Sequence, residues 1–438
     1  MTMNDILALP RAYTSPTSSN FSALEHNSNR LSSESLGVLS KGGSGARAAG
    51  VATPLAGGSL GIYAKYSAIL GIIDLETGEC LESPVNAKVQ RFALQSVARK
   101  FLPTFRVSKC LRLRQSNQPI EVWKSKNFPS ASYAGLQTCG SVWVCPVCAA
   151  KIAERRRFEI IDAMATHKDN GGTVNMLTLT APHTRTDKLV DILAMQAKAL
   201  KFFSSDRSVR EIYKEMCMIG QIRALEVTHG RLSPSNNGWH AHYHILQFAG
   251  ATPLKTSFSP MQMLEWEDRF YVRWAACCVR AGLNVPSRLH GIKLDDGSKA
   301  AAYVSKWGLE DEMTKGHTKK ALHGETPFDF LRSFLANAGD KQAAVLFKEF
   351  AVGFKGKRQL HWSSGLKKHF DIVDLSDDEL GAVLEDDASL LGMISLSQWR
   401  DVLRVEGRAV LLQIAVSCGW DGVSNYLRSI EKTTGENT

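Results

Sequence analysis

The chain has 438 residues, with 53 Lys and Arg against 43 Asp and Glu, which gives a net charge of +10; 44% of its residues are hydrophobic. This length and apolar content are enough for two or three domains with substantial cores. No apolar run is long enough to predict a membrane span, and the N-terminus lacks the basic start and apolar stretch of a signal peptide. We therefore expect an intracellular protein with no membrane partner.

The charge is distributed unevenly along the chain. Residues 371–438 contain thirteen acidic and five basic side chains, a net charge of −8, so residues 1–370 carry +18. A basic body of this kind can neutralise phosphates, which favours a nucleic acid or another polyanion as its partner. The acidic end is expected to serve a different purpose.

The N-terminal segment 1–75 is predicted to be a largely disordered arm. Residues 15–61 are rich in Ser, Gly, Ala and Asn and contain few aromatic side chains. Such a segment cannot bury enough apolar surface to offset the entropy lost on ordering. A loosely docked arm is the alternative. The first predicted helix follows at 85–101, where apolar residues recur at helical spacing.

Residues 76–150 are predicted to combine that helix with a cysteine-rich zinc module. Three of the nine cysteines lie in the sequence CGSVWVCPVC, in which Cys145 and Cys148 form a CxxC pair that can offer two thiolates to one tetrahedral Zn²⁺. Cys139 and Cys110 are the candidates for the other two ligands. A redox-active dithiol is the alternative, although no thioredoxin-like strand–helix–strand pattern surrounds the pair. The remaining cysteines lie in apolar settings and are predicted to be buried thiols: Cys80, Cys217, Cys277, Cys278 and Cys418.

Residues 151–370 are predicted to form an α+β domain built on an antiparallel sheet. The hydrophobic patterns predict helices at 149–168, 187–203, 261–281 and 299–307 and strands at 174–180, 222–227 and 240–248. A Gly, Ser, Pro and Asn-rich loop joins the last two strands, which indicates a hairpin. The acidic segment 371–438 is predicted to be helical, with caps at Ser376 and Ser395.

Three histidines alternate along the second strand of that hairpin. Because strand side chains alternate between faces, His240, His242 and His244 share one face. Imidazoles two residues apart on a rigid strand can hold a divalent cation, and Glu226 on the preceding strand could supply a carboxylate from across the hairpin. A His/His/carboxylate set suits Mg²⁺ or Mn²⁺ acting as a Lewis acid on a phosphodiester. A solvated carboxylate is the alternative for Glu226.

The order of three short motifs resembles that of HUH endonucleases, in particular rolling-circle plasmid replication initiators. These motifs are LTLTAP (177–182), GWHAHYHIL (238–246) and AAYVSKW (301–307), and the resemblance covers roughly residues 106–370. It implies an HUH nuclease core with flanking helices, a cysteine module before it, and His242 and His244 as the metal-binding pair. His240 matches an additional upstream histidine that would contact phosphate or support the ligands.

The same resemblance implies the reaction. Tyr303 matches the family's nucleophile and Lys306 the lysine three residues later, so that the phenolate attacks the scissile phosphorus while the cation and Lys306 stabilise the developing charge. The products would be a 5′-phosphotyrosine and a free 3′-OH. Some members carry a carboxylate four residues before the tyrosine, where this chain has Lys299, so the residue that activates water at termination is not identified.

The partners implied are plasmid origin DNA, single-stranded at the nick and duplex for recognition, a host helicase and a host polymerase, all in the bacterial cytoplasm. Cations interleaved with an aromatic residue, which can bind phosphates and stack bases, point to Lys355, Lys357, Arg358 and Trp362 as DNA contacts. A solvated basic loop is the alternative. A second candidate patch is the basic stretch Arg155, Arg156 and Arg157.

Two other functions fit the sequence. A single-tyrosine HUH transposase or a relaxase would share the chemistry but act on a different DNA site. A non-enzymatic, zinc-containing DNA-binding regulator would use the histidines structurally, and replacing Tyr303 would then change no activity.

Overall fold

The computed structural model describes residues 84–250, 258–296, 324–382 and 387–431. These residues belong to one compact unit, Leu55–Thr438. The predicted arm 1–75 and the predicted helix 299–307, with Tyr303 and Lys306, lie outside the described residues. None of the described helices combines the length and apolar content that crossing a bilayer requires.

The described strands form two antiparallel sheets, which confirms the predicted α+β class. The smaller sheet has the order β2-β1-β8 and the larger one the order β6-β3-β5-β4-β7. The strands are β1 (Ile120–Ser125), β2 (Ala131–Ala134), β3 (Thr173–Thr180), β4 (Met218–His229), β5 (Trp239–Ala249), β6 (Ile292–Asp295), β7 (Leu360–Trp362) and β8 (Ala388–Ile394).

The described helices pack around the sheets. They are α1 (Pro84–Phe101), α2 (Pro146–Asp169), α3 (Leu189–Ser205), α4 (Arg207–Glu215), α5 (Pro260–Ala281), α6 (Pro327–Ala336), α7 (Lys341–Gly353), α8 (Leu366–His369), α9 (Asp377–Ala382), α10 (Leu396–Arg404) and α11 (Arg408–Ile430). Those predicted at 85–101, 149–168, 187–203 and 261–281 begin and end within three residues of the predicted limits, whereas the helices at 207–215, 327–336, 341–353 and 366–369 were not predicted. The predicted domain limits at residues 150 and 370 stay predictions, although α2 runs across the first of them.

The predicted hairpin is the longest strand pair. Strands β4 and β5 pair antiparallel from Met218 to His229, and β5 also pairs with β3 from His242 to Ala249. The connecting loop ends at Gly238, whose φ is +76° and whose missing Cβ would lie 2.9 Å from the Cα of Arg185. Only glycine fits this left-handed, tightly approached position, which sets the entry of the histidine strand.

Helices cover the two faces of the larger sheet to different extents. Helices α3, α4 and α5 pack on one face against Leu177, Tyr243 and Ile245. On the other face, α2 covers only the part of the sheet that carries Met176, Ile222, Leu246 and Phe248. The described residues leave the end of that face near His242 less covered, and the polar side chains of β4 and β5 meet there.

The C-terminal segment is mainly helical, as predicted, and it also contributes strand β8. Ser376 caps α9 through reciprocal hydrogen bonds with Glu379, and Ser395 caps α10 in the same way with Gln398. Strand β8 pairs with β1, which lies more than 260 residues earlier in the chain. Helices α10 and α11 share a hydrophobic core with α1 and with both earlier strands of the small sheet.

Candidate metal centres and nucleic-acid interface

Three predicted metal ligands meet on the less covered face of the large sheet. Glu226 on β4 lies directly opposite His242 on β5. The Nε2 atoms of His242 and His244 are 2.9 Å apart, and they lie 3.1 Å and 3.0 Å from Oε2 of Glu226. Two imidazole nitrogens and one carboxylate oxygen that converge on one point could hold a single metal ion.

The charge state of Glu226 suits that arrangement. Burial raises the pKa of this carboxyl, but hydrogen bonds from His242 and His244 outweigh burial and hold the pKa well below its usual range. The side chain of Glu226 is 38% exposed, while those of His242 and His244 are 12% and 7% exposed. The site therefore offers an ionised carboxylate at its open side and two imidazoles on its protein side.

Thr178 on β3 orients one of the imidazoles. It lies directly opposite His244 in the sheet, and its Oγ1 is 3.0 Å from Nδ1 of His244. When Nε2 of His244 faces a cation, Nδ1 carries the proton and donates a hydrogen bond to the hydroxyl oxygen of Thr178. Thr178 lies within the LTLTAP motif, but the sequence alone indicates no role for it. Only the pairing of β3 with β5 brings it to His244.

His240 has a histidine partner that sequence analysis missed. Its Nδ1 is 2.7 Å from Nε2 of His183, whose Nδ1 donates to the carbonyl oxygen of Asn237 at 2.9 Å. Burial, reinforced by the neighbouring imidazoles, lowers the pKa of His240 to about 4. Neutral His240 then donates through Nδ1 to His183. His183 directly follows the LTLTAP motif, and this position was the available clue.

The four predicted zinc ligands form a buried cluster. Cys145 lies just before α2 and Cys148 in its first turn, while Cys110 lies in the loop before β1 and Cys139 in the loop after β2. Each thiol offers one sulfur, and the four sulfurs lie within 4.8 Å of one another, with Cys110 and Cys148 at 3.5 Å. Four sulfurs at this spacing could hold one tetrahedral metal ion.

The protonation of the cluster is shared among its members. Hydrogen bonds from the three other thiols lower the pKa of Cys148, whereas the same contacts and burial raise the pKa of Cys139. A divalent cation would replace the shared protons and stabilise four thiolates together. The amide of Gln95 on α1 donates to the sulfur of Cys145 at 3.2 Å, which further stabilises a thiolate there.

The prediction of buried thiols elsewhere was wrong at two positions. Cys277 and Cys278 are buried in α5, but Cys217 and Cys418 are exposed. Cys217 occupies a turn with a φ of +49° between α4 and β4, and Cys418 precedes the kink at Gly419 in α11. Apolar neighbours in the sequence do not bury a side chain whose own position faces outward. Cys80 lies outside the described residues.

The basic stretch 155–157 is partly engaged within the chain. Arg156 is 13% exposed and binds Glu159 and Asp377, and Arg157 pairs with Glu154. These carboxylates neutralise much of the charge that the sequence suggested was available. Among the three, Arg155 has no ion pair with the residues that the structure describes.

The second predicted DNA-contact region lies beside the metal site. The edge strand β7 directly follows the cations Lys355, Lys357 and Arg358. A backbone hydrogen bond from the amide of Leu225 to the carbonyl oxygen of Gln359 holds this segment beside the part of β4 that carries Glu226. Trp362, at the end of β7, is half-buried and lies under the ammonium of Lys367, 5.5 Å from the ring centroid. The structure thus places the backbone that follows the three cations beside the strand that carries Glu226, and it packs Trp362 partly into the core.

Comparison with known proteins gives the family. Residues 133–400 match the family described as "Replication protein". A protein from Streptomyces lividans named "Protein rep" is 27% identical over 318 residues, covering 58% of this chain and 68% of that protein. A "Neomycin resistance protein" from Streptomyces cyanogenus is 27% identical over 207 residues, covering 39% of this chain and 46% of that protein. No solved structure matches significantly.

The matched region includes the Glu226/His242/His244 group and the candidate cysteine cluster except for Cys110. It also includes the basic residues 355–358 and ends in the first of the two C-terminal helices. It spans more than half of the chain. The chain therefore belongs to the replication protein family.

Proposed function

We propose that this chain initiates rolling-circle replication of a plasmid by nicking one strand of the origin with Tyr303. The observation that carries the proposal is the convergence of Glu226, His242 and His244 within about one hydrogen-bond length on an open sheet face. Membership of the replication protein family and the resemblance to HUH endonucleases support the same function.

The proposed reaction is a transesterification. The phenolate oxygen of Tyr303 attacks the scissile phosphorus, a bond forms between them, and the bond to the 3′ oxygen breaks, leaving a 5′-phosphotyrosine and a free 3′-OH. Mg²⁺ or Mn²⁺ held by Glu226, His242 and His244 would act as a Lewis acid on a non-bridging oxygen. Lys306 would stabilise charge on the same phosphate.

The flanking residues support a place for Tyr303 beside the triad. Strand β6, which ends at Asp295, pairs with β3 on one side of the histidine strand. On the other side, Glu325 forms a bridge with His229 of β4, three positions beyond Glu226. The described residues that flank Tyr303 in the sequence therefore lie on both sides of the strand that carries the proposed ligands.

The cysteine cluster is proposed to hold a structural Zn²⁺, since its sulfurs are buried and offer no open coordination position to substrate. Lys355, Lys357 and Arg358 are proposed to bind DNA phosphates, with Arg155, Trp362 and His240 as further contacts. Arg156 and Arg157 would join them only if DNA displaced the carboxylates of Glu159, Asp377 and Glu154. A host polymerase would extend the free 3′-OH after a host helicase has opened the duplex, and these events would take place in the bacterial cytoplasm.

The test is covalent capture. The protein is incubated with Mn²⁺ and a set of single-stranded oligonucleotides that tile the origin, and we expect one adduct that peptide mapping assigns to Tyr303. Tyr303→Phe removes the nucleophile and should abolish the adduct with little effect on DNA binding. Absence of any adduct across the tiled strand would contradict the proposal and favour the non-enzymatic regulator.

A second experiment separates metal binding from DNA binding. We expect His242→Ala and His244→Ala to abolish nicking but to leave duplex binding nearly intact, because the ligands do not form the basic surface. Equal loss of duplex binding would show that the histidines are structural. A nick within a transposon end or a transfer origin, rather than a replication origin, would instead favour a transposase or a relaxase.

A further inference from the structure

A cavity on the other face of the large sheet is lined by cations. It has a volume of about 510 Å³ and lies between α3, α4 and the sheet. Its charged lining consists of Lys201, Arg210 and Arg223, accompanied by the hydroxyl groups of Ser204, Ser205 and Tyr243. None of the carboxylates in the described part of the chain lines it.

The cavity lies directly behind the candidate metal centre. Tyr243 stands between His242 and His244 on β5, and because side chains alternate along a strand it points to the opposite face. The guanidinium of Arg223 lies over the Tyr243 ring, 5.7 Å from its centroid. A ligand in the cavity would therefore contact the strand that carries the metal-binding histidines.

The cations of the cavity are not neutralised by carboxylates of the described chain. Neither Arg223 nor Lys201 forms an ion pair with any residue that the structure describes, and Arg210 donates only to the backbone oxygen of Ser205, at 2.6 Å. The neighbouring carboxylates have other partners, since Asp206 binds Arg273 and Glu211 binds Arg207. Burial also lowers the pKa of Arg223, so an anion that entered would relieve an uncompensated charge.

We infer that this cavity binds a backbone phosphate of DNA, as a second contact on the face opposite the metal centre. Three cations and several hydroxyl donors around an open cavity suit a phosphodiester, which accepts hydrogen bonds and carries one negative charge. DNA is preferred to a small anion because Arg223, which lines the cavity, lies next to the basic edge strand of the sheet. There His361 lies directly opposite Arg223 on β7, and Arg358 lies close behind it.

This inference rests on the proposed function only in that DNA is the ligand, and its test requires no nicking. The double variant Lys201→Ala/Arg210→Ala removes two exposed cations, so its folding should be unaffected. Its matched control, Lys168→Ala/Lys348→Ala, removes two exposed lysines on α2 and α7 without touching the cavity. Binding of a labelled single-stranded oligonucleotide and of a labelled duplex is measured at several salt concentrations.

We expect the slope of log affinity against log salt to fall by roughly 0.7 for single strands or roughly 0.9 for duplex in the cavity variant, because one phosphate contact is lost, and not in the control. Mn²⁺ affinity should stay unchanged, because the triad lies on the other face. A slope equal to that of the control overturns the inference. Loss of inorganic phosphate binding with an unchanged DNA slope also overturns it, because the cavity would then take a small anion. A changed slope in a protein that forms no Tyr303 adduct supports the DNA contact while the nicking proposal fails.

Discussion

At the scale of single residues, the candidate metal site depends on hydrogen bonds between its histidines and residues that are not themselves ligands. Thr178 fixes the ring of His244, and His183 fixes the ring of His240. Each contact joins a histidine of β5 to a residue on or just after β3. Residues that orient a ligand in this way often matter almost as much to metal affinity as the ligands themselves.

Thr178→Val is expected to lower Mn²⁺ affinity about 10- to 100-fold. Valine keeps the shape of threonine but cannot accept the hydrogen bond from the Nδ1–H group of His244. Calorimetric titration with Mn²⁺ measures the effect. Thr180→Val serves as the control, since Thr180 lies on the same face of β3 and its side chain has no hydrogen bond to a described residue. Equal losses in the two variants would contradict an orienting role for Thr178.

His229 is expected to make the fold sensitive to acid. Burial, together with the charge of Arg231, lowers its pKa to about 4, whereas an unfolded histidine titrates near 6.5. Protonation therefore favours the unfolded chain, so the contribution of His229 is complete above about pH 6.5 and is lost as the pH falls towards 4. At pH 4.5 the loss amounts to about 2 kcal/mol.

Urea unfolding at pH 7.5 and pH 4.5 measures this loss. His229→Gln should lack it and show a free energy of unfolding that depends correspondingly less on pH than that of the wild-type chain. His290→Gln changes an exposed histidine and should behave like the wild type. If the two variants show the same pH dependence, His229 is not the residue responsible.

At the scale of elements, the start of α2 depends on the cysteine cluster. Cys145 is the residue before the first helical turn and Cys148 lies within that turn, while Pro146 fixes the first helical position. The same helix covers part of the large sheet through Ile160, Ala163 and Met164. A cation bound to the sulfurs would thus stabilise the helix that connects the two sheets.

Cys148→Ala is expected to reduce bound zinc from one ion per chain to none and to lower the thermal midpoint by roughly 5 °C or more, because it removes a ligand from a buried site. Elemental analysis and calorimetry measure the two effects. Cys418→Ser alters an exposed cysteine of α11 and should change neither. Full zinc content in Cys148→Ala would show that the cluster is not the zinc site.

At the scale of the whole molecule, the C-terminal segment is tied to the cysteine cluster through buried polar groups. Arg408 at the start of α11 is completely buried, and its Nη1 donates to Gln95 at 2.7 Å. Gln95 in turn donates to Cys145. Glu406 binds both Arg112 and Arg408, so one carboxylate serves two largely buried guanidinium groups.

Glu406→Gln is expected to destabilise the protein by about 3 kcal/mol, because it leaves two buried arginines without their counter-ion. Chemical unfolding measures the change. Asp378→Asn breaks a pair with Arg106 in which both side chains are more than half exposed, so it should cost less than about 1 kcal/mol. A similarly small cost for Glu406→Gln would show that the C-terminal network contributes little to stability.

Local periodicity in the sequence was sufficient to predict several features of the fold and of the candidate sites. The alternation of a strand placed His240, His242 and His244 on one face, and the CxxC spacing identified a cysteine pair at the start of a helix. Helical spacing located four of the described helices, α1, α2, α3 and α5, to within three residues. Tyr303 and Lys306 were identified by the resemblance to HUH endonucleases and not by periodicity, and their roles stay predictions.

Which distant residues meet depends on how strands pair and how separate segments pack. Thr178 and His183 contact the histidines of β5, and β8 pairs with β1. Arg156 forms ion pairs with carboxylates, and the cations of the cavity come from α3, α4 and β4. These contacts depend on strand order and on packing between segments far apart in the chain. Local patterns carry no information about either, because many different pairings bury the same apolar faces equally well.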